Sequence, residues 1–323
     1  MTPIPRRAFL AAGAAAALPA FAQQPYPSKP VRIVVPYPPG GVSDAVARAL
    51  GEKLAAQMGQ PFVIDNKAGA SGTIGVDAVA KSAPDGHTLA FTAISPLVLS
   101  PHLGKVPYDP ATQVTPVVSV MYSPVLLLAT PALAARDFRE LLEMAKAKPR
   151  AVRWATSGSA SLGHLMLEQL QEQARVEMVH FPYKGGGQQM TDALSGQFEV
   201  LSTNAGPAVS EHIKAGKLRP LAVGAPKRLE SLPNVPTLAE LGYAGANLSS
   251  QFGIVAPGGL PRPTLEKINA QVNAVLQMPD IRSRLVATDN VPTGGSAEAF
   301  AKQIAAESAA NLRIIRAVGI KVD

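Results

Sequence analysis

Four short turns rich in glycine or serine are the segments best suited to chemistry, because each directly precedes a predicted helix. A helix N-terminus exposes unpaired N–H groups and carries about half a unit of positive charge, so it binds anions without a basic side chain. Glycine at such a turn lets a ligand approach the backbone closely. Each turn alone can be a tight turn with a helix cap, but together they favour an anion site. The turns are Pro38–Asp44, Ala68–Thr73, Ser157–Ser161 and Lys184–Gly187.

The motifs of common enzyme classes are missing or incomplete in this sequence. Residues 69–75 space their glycines as GxxGxxG, which is not the dinucleotide-binding pattern, and no Gly-rich turn ends in the Gly-Lys-Ser/Thr of a phosphate loop. The five histidines form neither an HExxH motif nor a close pair, and the chain has no cysteine. We therefore predict no metal site, no cofactor and no catalytic residue.

A hydrolase that uses Ser161 is the enzyme alternative that remains. Ser159 stands two residues earlier, where the GxSxG nucleophile elbow requires glycine. His164 lies three residues further along the same predicted helix and can contact Ser161, but no acid is at hand to orient the imidazole. Asp44 and Asp85 are interpreted as a helix cap and a turn residue.

The turns must be positioned by the strands and helices around them. In the first part of the chain, apolar β-type runs at residues 31–35, 62–65 and 88–92 alternate with helical patterns at 44–58 and up to about Ala80. This βαβαβ order predicts a parallel sheet covered by helices on both faces. Ligands bind at the carboxyl ends of the strands in such sheets, which is where the turns lie.

The pattern restarts in the middle of the chain and ends in a helix-rich final third. The predicted strands are at 125–129, around Trp154, and at 178–181, 200–202 and 218–223. The predicted helices are at 137–148, 162–173, 188–195, 209–215, 264–276, 279–286 and 296–316.

The first 22 residues have the pattern of an export signal. Arg6-Arg7 precede an apolar run at residues 8–18, and Ala20-Phe21-Ala22 is a small-x-small cleavage signature. The run is shorter than the roughly 20 apolar residues that span a bilayer. We expect an exported periplasmic protein without a membrane anchor, translocated by the twin-arginine route that Arg6-Arg7 resembles or by the general secretory route.

The length of the chain predicts two lobes, because one hydrophobic core rarely grows to this size. We place the boundaries where the pattern restarts, near Ser123, and where it leaves the second unit, near Val223. Lobe 1 then comprises residues 23–123 and 224–323, and lobe 2 comprises residues 124–223. Since the chain crosses twice between the lobes, we expect a hinge beside a ligand-binding cleft.

The charge pattern argues against a nucleic-acid surface. The formal net charge is +7, but the basic residues form no tract, and the aromatic residues (5%) are not interleaved with arginine. A mild positive field of this kind favours the approach of anionic solutes.

A series of motifs in a specific order covers essentially the whole sequence after residue 22. It runs through Pro36–Gly41 with Asp44 and Arg48, Asn66–Gly72, Pro84–Leu89, Pro107–Pro110, Ser157–Leu165, Tyr183–Gly185, and Pro236-Thr237 with Glu240 and Gly242. This series resembles the Bug family, the substrate-binding receptors of tripartite tricarboxylate transporters.

The resemblance implies a fold and a set of binding residues. The fold is a two-lobe, type II-like periplasmic-binding-protein fold of class α/β, each lobe a mainly parallel sheet flanked by helices, which closes on its ligand without a cofactor. The backbone of the first two turns, with ordered waters, would hold one ligand carboxylate, through Tyr37, Pro39, Gly40, Gly41, Ser43, Ala70, Ser71 and Gly72. Lobe 2 would contribute Ser157, Ser161, Tyr183, Thr203 and Asn204.

Three departures from the family pattern concern the ligand. Ser202–Asn204 replaces a segment that often carries an acidic residue, which makes an amino-acid ligand less favoured. Gln251-Phe252 stands where tryptophan is common, and His87 where an aromatic hydroxyl is usual. The sequence therefore favours a dicarboxylate, which can be aliphatic or aromatic, but it does not identify the compound.

We thus expect a monomeric periplasmic receptor that captures a small carboxylate and delivers it to the membrane subunits of a tripartite transporter. Two alternatives stay open. One is a ligand-sensing receptor that docks to a membrane signalling protein, since ligand-dependent closure serves either role. The other is a periplasmic esterase that uses Ser161.

Overall fold

The structure is a computed structural model that describes residues 26–319. The predicted export signal, with Arg6-Arg7 and the cleavage site after Ala22, lies outside the described residues. Among residues 26–319, the strands are β1 (Val31–Val35), β2 (Phe62–Asn66), β3 (Thr88–Ala93), β4 (Val114–Ala129), β5 (Arg153–Thr156), β6 (Val179–Pro182), β7 (Val200–Asn204), β8 (Arg219–Gly224), β9 (Ser249–Pro257) and β10 (Val291–Pro292).

The α-helices in the same part of the chain alternate with these strands. They are α1 (Val42–Met58), α2 (Thr73–Ala80), α3 (Ser95–Val98), α4 (Ser100–Leu103), α5 (Phe138–Ala147), α6 (Leu162–Ala174), α7 (Gly186–Leu194), α8 (Pro207–Lys214), α9 (Arg262–Leu276), α10 (Pro279–Val286) and α11 (Ala297–Val318). None of these helices combines the length and the apolar character that crossing a membrane requires.

Local sequence signals account for several helix boundaries. Asp137 precedes α5 and accepts a hydrogen bond from the Glu140 N–H at 2.9 Å, and Ser296 caps α11 by accepting from the Ala299 N–H at 3.1 Å. These side chains satisfy N–H groups that the first helical turn leaves unpaired. Helix α1 ends at Gly59, whose φ of 72° is the left-handed conformation common at helix C-termini.

The sheet has parallel outer parts and an antiparallel centre. Its order is β2-β1-β3-β9-β4-β7-β5-β6, and β8 and β10 also pair with β4. Strands β1, β2 and β3 are parallel, as are β5, β6 and β7, in agreement with the βαβ patterns of the sequence. Strand β9 is antiparallel to β3 and β4, and β4 is antiparallel to β7 and β8.

Strand β4 connects the lobes because it belongs to both halves of the sheet. Its residues 114–124 pair with β9, and its residues 125–129 pair with β7 and β8. The change of partner falls between Pro124 and Val125, next to the boundary predicted near Ser123.

Each lobe has its own hydrophobic core. Lobe 1 buries side chains such as Ile33, Phe91 and Ile254, and lobe 2 packs around Trp154 and Leu167, all of them at most 1% exposed. Residues on the opposite face, such as Val34 and Ala90, are buried in a separate cluster with Val76 of α2. Both faces of the sheet are therefore covered, which is the layered arrangement of an α/β fold.

The second crossing lies further along the chain than the sequence pattern indicates. The sequence pattern places residues 224–248 in lobe 1, but Leu238 and Ala246 are fully buried in the lobe 2 core. The chain returns to lobe 1 where β9 begins, at Ser249. We therefore propose that the second boundary lies near Leu248.

Strands β9, β10 and the first part of β4 are not predicted by the sequence pattern. Pro116 and Pro124 argue against a central strand, yet both lie in β4, and the register of the β4–β9 pair shifts between Pro116 and Val118. Gly253 lies in the middle of β9, where glycine normally weakens a strand. A Cβ at Gly253 would overlap with the Phe300 ring and lie 2.7 Å from the Val118 carbonyl oxygen, so close packing requires this glycine.

This packing predicts that Gly253→Ala destabilises the protein by about 1–3 kcal/mol, the usual cost of overpacking a core. The matched control is Gly104→Ala, because Gly104 is exposed, has an extended backbone and has no atom near the position of the added Cβ. Urea denaturation monitored by circular dichroism gives both free energies of unfolding. Equal values for the two variants would contradict the packing argument.

Candidate ligand-binding cleft

A cavity of about 260 Å³ lies between the two lobes. The lobe 1 wall consists mainly of the loop between β1 and α1, together with Ser71, Ser95 and Phe252. The lobe 2 wall consists of the turns that precede α6, α7 and α8. The cavity therefore lies at the carboxyl ends of parallel strands, where ligands bind in open α/β sheets.

The first residues of four helices line this cavity. They follow the N-terminal caps Gly41 of α1, Ser161 of α6, Gly185 of α7 and Gly206 of α8. Within residues 26–319, no protein acceptor pairs with the backbone N–H groups of Gly41 and Val42. Such N–H groups, with the positive ends of the helix dipoles, bind anions.

The described part of the cavity wall has no charged side chain. Of the described residues that line it, none is Asp, Glu, Lys, Arg or His; they supply hydroxyl groups, amides and apolar side chains instead. The hydroxyls include Ser43, Ser157 and Thr203, and the apolar side chains include Met190 and Val209. The described part of the chain also contains no group of three or more His, Asp or Glu residues that can hold a metal ion.

A buried carboxylate fixes the first loop from behind. Asp44 is 6% exposed and accepts hydrogen bonds from the Gly40 N–H (3.0 Å), from Arg48 Nε (3.1 Å) and from Asn66 Nδ2 (3.1 Å). Burial alone would raise the pKa of Asp44, but these hydrogen bonds and the Arg48 charge lower it overall. Asn66 Nδ2 also donates to the Tyr37 carbonyl oxygen at 3.1 Å.

The interpretation of Asp44 as the helix cap was therefore wrong in detail. Gly41 occupies the cap position, and Asp44 lies in the first turn of α1, from which its carboxylate reaches back to the Gly40 N–H. The arrangement resembles the acidic half of a capping box. Because the Gly40 N–H already donates to Asp44, the N–H groups of this loop that can bind an anion belong to the residues that follow Gly40.

The second Gly-rich turn has four consecutive residues with positive φ. The angles are 137° at Gly69, 44° at Ala70, 52° at Ser71 and 97° at Gly72. Two of these residues are not glycine, although the left-handed region disfavours other side chains. The Thr73 hydroxyl donates to the Ala70 carbonyl oxygen at 2.9 Å and helps to hold the turn.

The structure brings most of the predicted binding residues to the cavity wall. Those that line it are Tyr37, Pro39, Gly40, Gly41, Ser43, Ser71, Ser157, Ser161, Thr203 and Asn204. Their individual roles in ligand binding stay predictions.

Ala70, Gly72 and Tyr183 were also predicted but do not line the cavity. Gly72 faces inward, where a Cβ would lie 2.9 Å from Pro96 Cγ and 3.2 Å from the Tyr37 hydroxyl. The Tyr183 ring packs against Phe198 in the lobe 2 core, with ring centroids 5.7 Å apart. Its hydroxyl donates to Asp192 Oδ2 at 2.7 Å, which turns the group away from the cleft.

Several lining residues were not predicted. Gly206-Pro207 is a helix start, with proline in the first turn of α8, and this signal was available in the sequence. Ser95, Ser250 and Met190 have no comparable local signal, because sheet order and helix packing bring them to the cavity.

The geometry around Ser161 does not favour the esterase alternative. Ser161 Oγ accepts a hydrogen bond from the backbone N–H of His164 at 3.4 Å and caps α6. His164 Nδ1 accepts from the Ala160 N–H at 3.3 Å, and its Nε2 lies 3.5 Å from Glu168 Oε1. Glu168 is thus the acid that the sequence analysis overlooked, but both ring nitrogens of His164 are directed away from the Ser161 hydroxyl.

Behind this turn, two histidine rings stack in parallel. The centroids of His164 and His180 are 3.9 Å apart with an interplanar angle of 3°, and His180 Nε2 lies 2.7 Å from the Thr156 hydroxyl. Burial, with a smaller contribution from His164, lowers the pKa of His180 to about 3. His180 is therefore neutral at physiological pH.

This chain is similar to known proteins in both sequence and structure. The sequence profile described as "Tripartite tricarboxylate transporter family receptor" matches residues 46–320. Protein BugT of Bordetella pertussis (strain Tohama I) is 36% identical over 301 residues, covering 92% of this chain and 91% of BugT.

Two solved structures are similar over the same region. An R. palustris protein solved with adipate has a TM-score of 0.87 and 33% identity, and the match covers 92% of this chain and 99% of that one. MatC from Rhodopseudomonas palustris with bound malate has a TM-score of 0.84 and 28% identity, with 90% and 100% covered. These similarities confirm the predicted two-lobe fold.

The first loop predicts a strong effect of Gly41→Val on binding. Gly41 has φ −80° and ψ 173°, which valine adopts readily, and an added Cβ would come no closer than 3.9 Å to another atom. The fold should therefore persist, while the side chain fills the space of the anion and abolishes binding measured by calorimetry. Gly104→Val, at an open site outside the cavity wall, is the control. Wild-type affinity of Gly41→Val would contradict a backbone anion site.

Ser161→Ala should weaken binding by roughly 10- to 150-fold, since a hydrogen bond to a charged group contributes about 1.5–3 kcal/mol. The matched control is Ser296→Ala, which removes a helix cap of the same type from α11. Both variants should lose about 1 kcal/mol of stability, but only Ser161→Ala should lose affinity in calorimetric titrations. Equal affinities of Ser161→Ala and the wild type would show that the Ser161 hydroxyl does not bind the ligand.

The neutral His180 makes stability fall as the pH drops below about 6.5. The unfolded chain, whose histidine pKa is about 6.5, binds a proton that the folded protein excludes until the pH nears 3. The free energy of unfolding therefore decreases with falling pH in this window. We expect His180→Gln to lose less stability than the wild type between pH 6.5 and 5 in urea denaturation, and the control His212→Gln to follow the wild type. Identical pH profiles for His180→Gln and the wild type would contradict this interpretation.

Proposed function

Because the chain belongs to the tripartite tricarboxylate transporter receptor family, we propose that it captures a small dicarboxylate between its lobes. We further propose that it does so in the periplasm and delivers the ligand to the membrane subunits of a tripartite transporter. The observation that carries this proposal is a cleft lined by helix N-termini and hydroxyl groups, with no charged side chain on its described wall.

A carboxylate fits such a wall better than other ligands do. Backbone N–H groups and hydroxyls donate hydrogen bonds to an ionised carboxylate, which accepts several at once. The dipoles of four helix N-termini supply the compensating positive charge. No arginine or lysine is needed, so the site avoids the desolvation cost of a second buried charge.

The placement of the helix N-termini supports a ligand with two carboxylates. The α1 N-terminus belongs to the lobe 1 wall, and the α6, α7 and α8 N-termini belong to the lobe 2 wall. Apolar side chains on the same wall, such as Leu162 and Met190, can contact an aliphatic or aromatic spacer. Adipate and malate, which occupy the two related structures, are both dicarboxylates.

The same wall disfavours ligands with an amino group. An ammonium group buried in the cleft would need an acidic partner, and none of the described lining residues provides one. The volume of about 260 Å³ lies just below the usual range of about 300–1,000 Å³ for ligand pockets, which favours a ligand of few heavy atoms.

The proposal predicts that dicarboxylates raise the melting temperature of the purified protein. A ligand at about 100 times its dissociation constant adds roughly 2.7 kcal/mol of stability, which shifts the transition by several degrees. A thermal-shift screen should rank adipate, malate and the phthalate isomers above aspartate, glutamate and neutral sugars. Adipamide, which has the shape of adipate without its charges, is the control ligand.

A shift with a sugar or with adipamide, and none with any dicarboxylate, would overturn the anion site. Delivery is tested separately from binding by measuring uptake of the best ligand in cells that lack this receptor. Restoration by the wild type but not by Gly41→Val supports transport. Unchanged uptake without the receptor, together with tight binding, favours the sensory alternative.

A further inference from the structure

We propose that the Ser71 side chain is a positioning group that holds the two lobes closed, and that its hydroxyl does not bind the ligand carboxylate. The inference rests on the proposed function only in taking the interlobe cleft as the binding site. It gives the Ser71 side chain a role that is separate from the backbone contact that the family resemblance implies for this residue.

The hydroxyl of Ser71 reaches across the cleft. Ser71 lies in the second Gly-rich turn of lobe 1, and its Oγ donates a hydrogen bond to the backbone carbonyl of Ser159 in lobe 2. A hydroxyl has one hydrogen to donate, and an ionised carboxylate only accepts. While Ser71 donates to Ser159, it therefore has no donor for the carboxylate.

The backbone of Ser71 supports a role for this side chain. With φ 52° and ψ 29°, Ser71 adopts the left-handed conformation that glycine or asparagine occupies at lower cost. In the same turn, two other positions with positive φ are occupied by glycine, namely Gly69 and Gly72. Ala70 is strained in the same way, but among the described residues only Ser71 of these two makes a side-chain hydrogen bond, and that bond is the contact with the other lobe.

The opposite lobe is shaped to receive Ser71. A Cβ on Gly158 would overlap with Ser71 Oγ and lie 3.2 Å from the Tyr183 carbonyl oxygen. Any residue larger than glycine at 158 would therefore push the lobes apart or displace the Ser71 side chain. The hydroxyl on lobe 1 and the missing side chain on lobe 2 form a complementary pair.

In two further places a lobe 1 side chain faces a lobe 2 glycine. A Cβ on Gly185 would overlap with the Pro38 ring, and a Cβ on Gly206 would lie 3.4 Å from Val42 Cβ. The contact at Gly206 would be an ordinary van der Waals contact, so only the Gly185 pair repeats the overlap seen at Gly158. Lobe 1 side chains thus meet lobe 2 glycines directly before α6, α7 and α8.

These contacts predict that Ser71 acts on the equilibrium between open and closed forms. A residue that contacts only the closed form raises its population and slows ligand release, but leaves the encounter with the open form unchanged. A direct ligand contact would instead change affinity without changing the equilibrium of the free protein.

The experiment measures the distance between the lobes in the free protein. Because the sequence has no cysteine, Gln57→Cys on α1 and Gln188→Cys on α7, both exposed, give two unique sites for spin labels. In Ser71→Ala, the ratio of closed to open forms should fall roughly 2- to 10-fold, the range expected for one neutral hydrogen bond. With adipate as the probe, the dissociation rate should rise by a similar factor, while the apparent association rate should rise only in proportion to the larger open fraction.

Two comparisons keep the result specific. Ser82→Ala removes a hydroxyl that donates to a carbonyl within lobe 1, at 2.7 Å, and should leave the distance distribution unchanged. Gly158→Ala should lower the closed population when it is introduced into the wild type. It should lower that population less when it is introduced into Ser71→Ala, because the Ser71 oxygen that the new Cβ would overlap with is then absent. The backbone strain of alanine at 158 acts on open and closed forms alike and does not enter their ratio.

An unchanged distance distribution in Ser71→Ala overturns the proposal. If the distances stay the same and the affinity for adipate falls, the Ser71 hydroxyl is a ligand contact. If no dicarboxylate binds the wild type, the proposed function fails, whereas the distances in the free protein still decide the role of Ser71.

Discussion

The pairing of β4 with β9 is the constraint on which the two-lobe arrangement depends. Strand β4 continues without interruption from one half of the sheet to the other, so its backbone hydrogen bonds fix the position of lobe 2 relative to lobe 1. The second crossing, at the start of β9, lies beside the first because Pro124 pairs with Ser249. Two adjacent crossings leave the rest of the interface free of covalent links, and the cleft occupies that space.

The charges of the protein are arranged to keep the cleft neutral while its loops stay fixed. Asp44 and Arg48 form an ion pair behind the first loop, where Asp44 accepts the Gly40 N–H instead of facing the cavity. A ligand that enters the cleft would therefore meet N–H dipoles and hydroxyls that are already oriented. Pre-oriented dipoles cost less on binding than flexible charged side chains, which would have to be desolvated and ordered.

Local patterns in the sequence were sufficient for the parallel βαβ units, most helices and the turns that line the cleft, because each depends on residues close in the chain. The antiparallel centre was not predictable in the same way. Strand β9 contains Gly253, which is required because the Phe300 ring, distant in sequence, packs against it. Strand β4 contains prolines, which its irregular register accommodates. Likewise, the direction of the Tyr183 side chain depends on Asp192 and Phe198, which no motif around Tyr183 indicates.

A third, non-covalent link between the lobes limits how they can move. Helix α11 belongs to lobe 1, but near its end Ile315 packs with Leu99 of lobe 1 and Leu165 of lobe 2 in one buried cluster. Separating the lobes at this point would expose apolar surface, at roughly 25 cal/mol per Å², whereas the glycine contacts at the cleft bury little. Opening is therefore cheapest as a rotation that keeps β4 and the Ile315 cluster together. Leu162 touches this cluster and also lines the cavity, so it connects the cavity wall with the apolar contact between the lobes.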